Sequence, residues 1–468
     1  MRRICLLPAV FVALAGFAQG SGPAWGTIND ETMRHFQALL KFDTSDPPGQ
    51  EKPAVDYLRR ALEAEGIPVE IVFTEANRPN LIARLKGSGA KRPLLIMGHT
   101  DVVNVDPKKW THPPFAATRE GGYVYGRGAV DDKDNVVAGL MVMLLLKRQN
   151  VPLDRDVIFL AESGEEGSTR VGIQFVVNQH FPKVEAEYCL AEGGGVTRSG
   201  GKVKFASVQT LEKIPRGIEL TARGPAGHGS VPLRDSAIVH LVNALSRITA
   251  WKTPVRLNDT TRAYFTRLAS ISTPAEATHY LGILGSDPKV VEAADEHLLN
   301  EEPRHASMLR SSISPNIIQG GYRINVIPSE AKATLDVRVH PDDDHLALIE
   351  EVKKVIADPA VQVAWAQRDV RPGSGSANLQ SDGFKAVEAM ITKHYQTVAL
   401  PTMSTGATDM AYLRAKGIQC YGIGPATDIE DGPKGFGAHS DQERILEAEL
   451  HRFVRFHYEL VEEMARKR

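Results

Sequence analysis

Imidazoles and carboxylates recur along this chain at points where buried segments give way to turns. His99 and Asp101 close the apolar run Leu94-Leu95-Ile96-Met97-Gly98. Asp131 and Asp132 are adjacent, Glu165 and Glu166 are adjacent, Glu192 follows Leu190-Ala191, and His439 lies in a late loop. Two histidines with several carboxylates form a mixed nitrogen and oxygen donor set, the kind that holds divalent metal ions. Such an ion brings the pKa of bound water towards neutrality, and two ions roughly 3.5 to 4 Å apart also clamp a carbonyl under attack. The pair requires one bridging carboxylate and one free base to accept the proton of water, and the candidates match in kind and number. Taken singly, His99 could be a satisfied core histidine and Asp131-Asp132 a surface turn; their joint occurrence carries the chemistry.

The elements that must position these residues are legible in the patterning. The apolar run ending at His99 reads as a buried parallel strand, and open α/β sheets bind ligands beyond the carboxyl ends of such strands. Helices are expected over 30–42 and 52–65, the second with Val55, Leu58 and Leu62 on one face and Gly66-Ile67-Pro68 as its stop. Strands are expected over 69–73, 80–85, 157–161, 188–191 and 418–423, with 136–146 as a helix apolar nearly all round and 442–466 as a closing helix. This alternation predicts an α/β fold, a mainly parallel sheet flanked by helices.

The texture changes near residue 213. Segments 217–222 and 333–339 alternate with period two, as strands of an antiparallel sheet wet on one face do, and Ile238, Leu241, Val242, Leu245 and Ile248 share one helical face. Residues 214–341 are therefore expected to form an inserted α+β lid or dimerisation domain, between catalytic parts at 27–213 and 342–468. The stretch 253–314 is weakly patterned, with a helix near 290–299 and no readable role.

A chain of 468 residues has material for two domains, and a formal net charge of -2 leaves no electrostatic footprint for nucleic acid or an anionic membrane. The expected partner is a small molecule. Met1-Arg2-Arg3, the apolar run from Ile4 to Phe17 and the small-x-small site Gly16-Phe17-Ala18 fit a signal peptide over 1–18. The mature protein is then expected to be exported, periplasmic or secreted, with no membrane association after cleavage. Cys189 and Cys420 remain in apolar, strand-like stretches and read as two buried thiols, with a bridge left open.

Five motifs in order carry a resemblance: Gly98-His99-Thr100-Asp101-Val102-Val103, Trp110-Thr111-His112-Pro113-Pro114-Phe115, Gly126-Arg127-Gly128-Ala129-Val130-Asp131-Asp132-Lys133, Glu165-Glu166-Gly167-Ser168 and Gly437-Ala438-His439. They resemble the M20 metallopeptidases, a family of carboxypeptidases, dipeptidases, aminoacylases and amino-acid deacylases. The resemblance implies two divalent ions, zinc foremost, with cobalt or manganese accepted by the same ligands. His99 would hold one ion and His439 the other, with Asp131 as the bridge and Glu166 and Glu192 completing one shell each. Asp101 would hydrogen-bond the His99 imidazole and fix its tautomer, and the Asp131-Asp132 peptide bond would be cis. Glu165 would be the general base and then the acid that protonates the leaving amine.

The same resemblance implies that His228, in Gly227-His228-Gly229-Ser230, polarises the scissile carbonyl, from the partner subunit in dimeric members. Asn325 and Arg338 would bind substrate, the guanidinium recognising a carboxylate, with an arginine merely paired to Asp336 as the alternative. Gly406 and Thr408, in Gly406-Ala407-Thr408-Asp409, would line the substrate's carboxylate end, with Ala407 standing where the family has a second glycine. Asn104 and Asp134 also depart from the family pattern, and neither is a ligand. The implied substrate is a small peptide, cut by a carboxypeptidase or dipeptidase, or else an N-acyl amino acid cut by a deacylase. A non-catalytic zinc-binding protein is the rival from another class, and the presence of Glu165 weighs against it. The family allows both monomers and a homodimer through the inserted domain.

Overall fold

As a computed structural model, the structure describes residues 23–366, 370–373 and 375–467. The signal-peptide stretch at 1–18 lies outside the described residues. Strands Val157–Glu162, Leu94–His99, Tyr188–Ala191 and Gln419–Gly422 run parallel side by side at the centre of a ten-stranded sheet. Asn80–Leu85 and Val69–Val72 extend one side antiparallel, and Lys202–Glu212 opens the other, joined by Gly195–Ser199, Ala426–Asp428 and Ala399–Ser404. Every residue of Leu94–His99 and Val157–Glu162 is buried, as in strands covered on both faces.

Alternate residues of these strands enter different cores. Leu94 and Ile96 pack with the helices Trp25–Leu40, Lys52–Ala64, Lys133–Arg148 and Glu447–Ala465. Leu95 and Met97 pack on the opposite face with Ile173–Gln179 and Met410–Arg414. The first helix starts before the expected residue 30, because Trp25 reaches the edge of the Tyr458 ring and Ile28 is buried. The helix expected from 136 starts at Lys133, and its first residues are buried although polar, so hydropathy alone placed its start too late. Cys189 and Cys420 are buried free thiols, directly paired across adjacent parallel strands. Among the described residues no helix is long and apolar enough to cross a membrane.

A second, antiparallel sheet has the order Ser312–Gly320, Glu330–Val339, Ile214–Arg223, Val361–Trp365. The helices Ala237–Ala250 and His345–Ile356 cover one of its faces. The buried face of Ala237–Ala250 differs from the expected stripe: Ala237, Leu241, Ala244, Leu245 and Ile248 point inward, whereas Ile238 is 39% and Val242 57% exposed. Two alanines let the helix lie close to the sheet, which turns the larger side chains out beside the edge strand. The stretch 253–314 forms the helices Asp259–Ile271, Pro274–Gly282, Pro288–Glu301 and Pro303–Met308. Capping boxes at Asn258 and Thr273 start the first two. These helices pack on Leu211, Leu400 and Met403 of the large sheet.

Candidate active site

The strand Leu94–His99 ends by delivering His99 into a pocket of carboxylates. Its main-chain N–H donates to Asp132 Oδ2 at 3.1 Å, its Nε2 lies 3.1 Å from Asp131 Oδ1, and Glu192 Oε2 stands 3.9 Å away. From the far end of the chain, His439 Nε2 lies 2.7 Å from Glu166 Oε1 and 3.1 Å from Asp131 Oδ2. The two oxygens of Asp131 thus face two different imidazoles, the arrangement a bridging carboxylate requires. The Asp131-Asp132 peptide bond is cis.

Asp101 stands against the His99 imidazole with both its backbone and its carboxylate. The His99 Nδ1 meets the main-chain carbonyl of Asp101 at 3.0 Å, while the carboxylate stands 3.6 Å off. That carboxylate also accepts the N–H groups of Gly164, Glu165 and Glu166 at 2.8, 3.2 and 2.9 Å. Gly164 makes this possible with φ 82°, a left-handed turn that aims successive N–H groups at one point. Asp101 therefore orients the imidazole through its backbone and seats the glutamate pair through its side chain.

The electrostatics bear on what these donors could hold. Hydrogen bonds to Asp131 and Glu166 raise His439 to about 10. Burial opposes charge on His99, yet its contacts with Asp101 and Asp131 prevail and hold it well above the ordinary histidine range. Burial likewise opposes charge on Asp131, and the bonds from His439 and His99 outweigh it, keeping the carboxyl below the usual range. Burial raises Glu192 well above its ordinary value, with the Glu165 charge adding to it. A cluster that draws protons onto two imidazoles facing a shared carboxylate accepts positive charge at two points. Oxygen and imidazole donors of His99, Asp131 and Glu166, and of His99, Glu165 and Glu192, converge within 4.8 Å. The residues fit a pair of divalent cations.

Glu165 is held by a residue that sequence reasoning missed. Its Oε1 accepts Arg371 Nη2 at 2.7 Å, and Arg371 Nη1 lies 3.0 Å from Asp409. Burial pushes Glu165 up to about 8, Arg371 working against the rise and Asp409 with it. Glu443 was missed as well, because residues from 442 were expected to be helical. The chain there forms the short strand Arg444–Leu446 before the helix begins at Glu447. The buried Glu443 carboxylate accepts Gly128 N, Val130 N and Arg127 Nη1 at 2.9, 2.7 and 2.8 Å, joining the Asp131 loop to the His439 loop. Arg444 lies between the rings of Tyr123 and Phe436, 4.0 and 4.1 Å from their centroids, and pins the same loop.

The remaining expected residues lie outside this cluster. His228 is exposed in a two-stranded antiparallel ribbon formed by Gly227–His228 and Val326–Ile327, and among the described residues its ring hydrogen-bonds to Ser230 alone. Asn325 is exposed at the end of the same ribbon and accepts Gly229 N through its carbonyl. Arg338 is half-buried and donates to Asp336 Oδ2 at 2.9 Å, the pairing weighed against the clamp. Thr408 turns inward: its N and Oγ1 both donate to Glu212, at 3.0 and 2.7 Å, where Arg414 also binds. Gly406 N donates to Ser404 Oγ at 3.1 Å. Asn104 is exposed and bonds Pro47 O, and Asp134 is wholly buried, with burial and the neighbouring Asp132 raising its carboxyl well above the usual range.

Comparison with known proteins agrees with this geometry. A relative from Dictyostelium discoideum, described as "Probable carboxypeptidase S-like 2", is 30% identical over 327 residues, 68% of this chain and 62% of that protein. The chain thus spans less than two thirds of that relative's length. The human "N-fatty-acyl-amino acid synthase/hydrolase PM20D1" is 27% identical over 380 residues, 79% of this chain and 74% of that one. Among solved structures, the M20 family metallo-carboxypeptidase Sso-CP2 from Sulfolobus solfataricus superposes with a TM-score of 0.69 at 20% identity, over 92% of this chain and 99% of that one. The Bacillus subtilis YXEP protein, described as a dinuclear metal binding peptidase from M20 family, gives 0.60 at 16% identity over 94% and 99%. The profile of peptidase family M20/M25/M40 matches residues 95–463, and the chain belongs to that family of hydrolytic enzymes.

Proposed function

We propose that this protein is a dinuclear metal hydrolase that cleaves the amide bond beside a free carboxylate, of carboxypeptidase or dipeptidase type. The observation that carries the reading is Asp131, with one oxygen towards His99 and the other towards His439, and Glu165 beside them. His99, Asp131 and Glu192 would hold one ion, and His439, Asp131 and Glu166 the other. Zinc suits the histidine and carboxylate donors, and cobalt and manganese are the alternatives. Bound there, such ions would lower the pKa of water and polarise a scissile carbonyl. Glu165 takes the proton on the oxygen that Arg371 leaves free and returns it to the leaving amine. Arg338, released from Asp336, would receive the substrate carboxylate, and His228 and Asn325, on the two-stranded ribbon beside the smaller sheet, would face the substrate.

Cleavage of N-acyl amino acids is the second reading, supported by the human relative described as acting on N-fatty-acyl amino acids. Both substrates present the same bond beside the same carboxylate. The signal-like residues at 1–18 support export. A homodimer through the smaller sheet is supported by its open edge: Ile317 and Ile318 on the edge strand, and Ile238 and Val242 on the adjacent helix, are exposed.

Release of amino acid from matched pairs, dipeptide Xaa-Yaa against N-acetyl-Yaa, tests the reading with the zinc-loaded protein, with and without chelator. Chelator-sensitive release is expected, and the preferred member of each pair separates peptidase from deacylase. Release that persists after the metal is stripped, or no release from any pair with metal bound, would overturn it.

A further inference from the structure

Arg371 lies in the connection that leaves the smaller sheet after Val361–Trp365 and returns to the helix Asp382–Tyr395 of the catalytic body. Its Nη2 donates to two atoms of one residue, the main-chain carbonyl of Glu165 at 3.0 Å and Oε1 at 2.7 Å. Nη1 lies 3.0 Å from Asp409 Oδ1, and the three side chains are 14%, 9% and 1% exposed. A planar fork that grips both backbone and carboxylate fixes the side chain's rotamer, and does not merely supply a charge. With Oε1 occupied, Oε2 is the oxygen left for a proton.

The arm carrying Arg371 is itself anchored in the smaller sheet. The Arg371 carbonyl accepts Arg216 Nη1 at 3.2 Å, from the strand Ile214–Arg223. Gly373 lies against Ile214 so closely that a Cβ there would meet Ile214 Cδ1 at 2.8 Å. The group that grips Glu165 is therefore mounted on the sheet that carries Arg338.

We propose that Arg371 is a positioning residue for the reaction, holding Glu165 by Oε1 and its main-chain carbonyl so that Oε2 alone faces the reacting water. It ties that orientation to the seating of the smaller sheet. The proposal rests on Glu165 being the base.

The test compares the metal-loaded full chain with Arg371→Met and Arg371→Lys, each alone and in a Glu165→Asp background, where the shortened carboxylate is already out of place. Arg371→Met is expected to lower kcat about 100-fold, the scale of a 1 Å misplacement of a reacting group. KM and bound metal should change by less than about twofold, the Lys variant should recover part of the loss, and millimolar guanidinium should restore part of kcat to the Met variant. In the Glu165→Asp background the same change should lower kcat by less than about threefold, because the two residues act as one unit. A kcat within about twofold of the parent, an undiminished loss in the Glu165→Asp background, or a loss of bound metal that matches the loss of kcat would each overturn the proposal. Should Arg371→Met fail to fold, the Lys variant in both backgrounds decides by the same criteria. Absence of metal-dependent hydrolysis in the parent is the distinct result that removes the proposed function itself.

Discussion

The Glu443 carboxylate accepts the Val130 N–H at 2.7 Å, across more than 300 residues of chain, and so fastens the loop ending in Asp131 to the loop that presents His439. Its other oxygen takes Gly128 N and Arg127 Nη1, and nothing of the side chain is exposed. Glu443→Gln replaces one acceptor by a donor facing main-chain N–H groups. The expected result is metal affinity weaker by about 10–100-fold, measured by titration of the metal-free protein, as for other residues that orient ligands. Unchanged affinity would show that the two loops hold their ligands without this peg.

Glu165→Ala should separate binding from chemistry. Its Oε1 is engaged by Arg371, and the substitution leaves the donors of His99, Asp131, Glu166, Glu192 and His439 in place. Bound metal is expected to stay at the parental level while kcat falls by about 10²–10⁴, the contribution of a positioned base. Normal hydrolysis would remove Glu165 from that role.

Arg338→Ala should act on substrate capture. The guanidinium is half-buried beside Asp336 and available to a second carboxylate. A charge-assisted hydrogen bond is worth about 1.5–3 kcal/mol, so KM for substrates with a free carboxylate should rise by about 10–100-fold with a much smaller change in kcat. An unchanged KM would leave Arg338 as the partner of Asp336 alone.

His457 predicts a loss of stability in acid that is independent of the metal site. It is wholly buried in the closing helix, and burial pushes it down to about 3 from 6.5. Among the described residues neither ring nitrogen has a hydrogen-bond partner. Between those values the unfolded chain binds the proton and the folded chain does not, so stability is complete above about 6.5 and falls as the pH drops towards 3. The slope from this residue is about 1.4 kcal/mol per pH unit. Denaturant melts between pH 7 and 4 should show a shallower decline for His457→Leu than for the parent; equal slopes would place the acid sensitivity elsewhere.

Much of the catalytic body was legible because its signals are local. A buried strand ending in His99, and adjacent carboxylates at 131–132 and 165–166, are patterns written within a few residues. The helix starts at Asn258 and Thr273 carry capping residues that were equally local, yet their packing on Leu211 and Leu400 depends on distant chain. The face of Ala237–Ala250 was read from residue size, whereas close approach to the sheet favoured its alanines and left Ile238 and Val242 outside.

The sequence by itself determined the donor set, the α/β alternation and the family, since these rest on residue type, spacing and period. Only the tertiary structure decided that Asp101 grips three N–H groups of the Gly164–Glu166 turn, that Thr408 faces Glu212, and that Arg371 and Glu443 stand behind Glu165 and the Asp131 loop. The physical reason is the same in each case. Buried donors and acceptors must find partners, and in a split body closed by its last hundred residues those partners come from segments with no fixed spacing to the site.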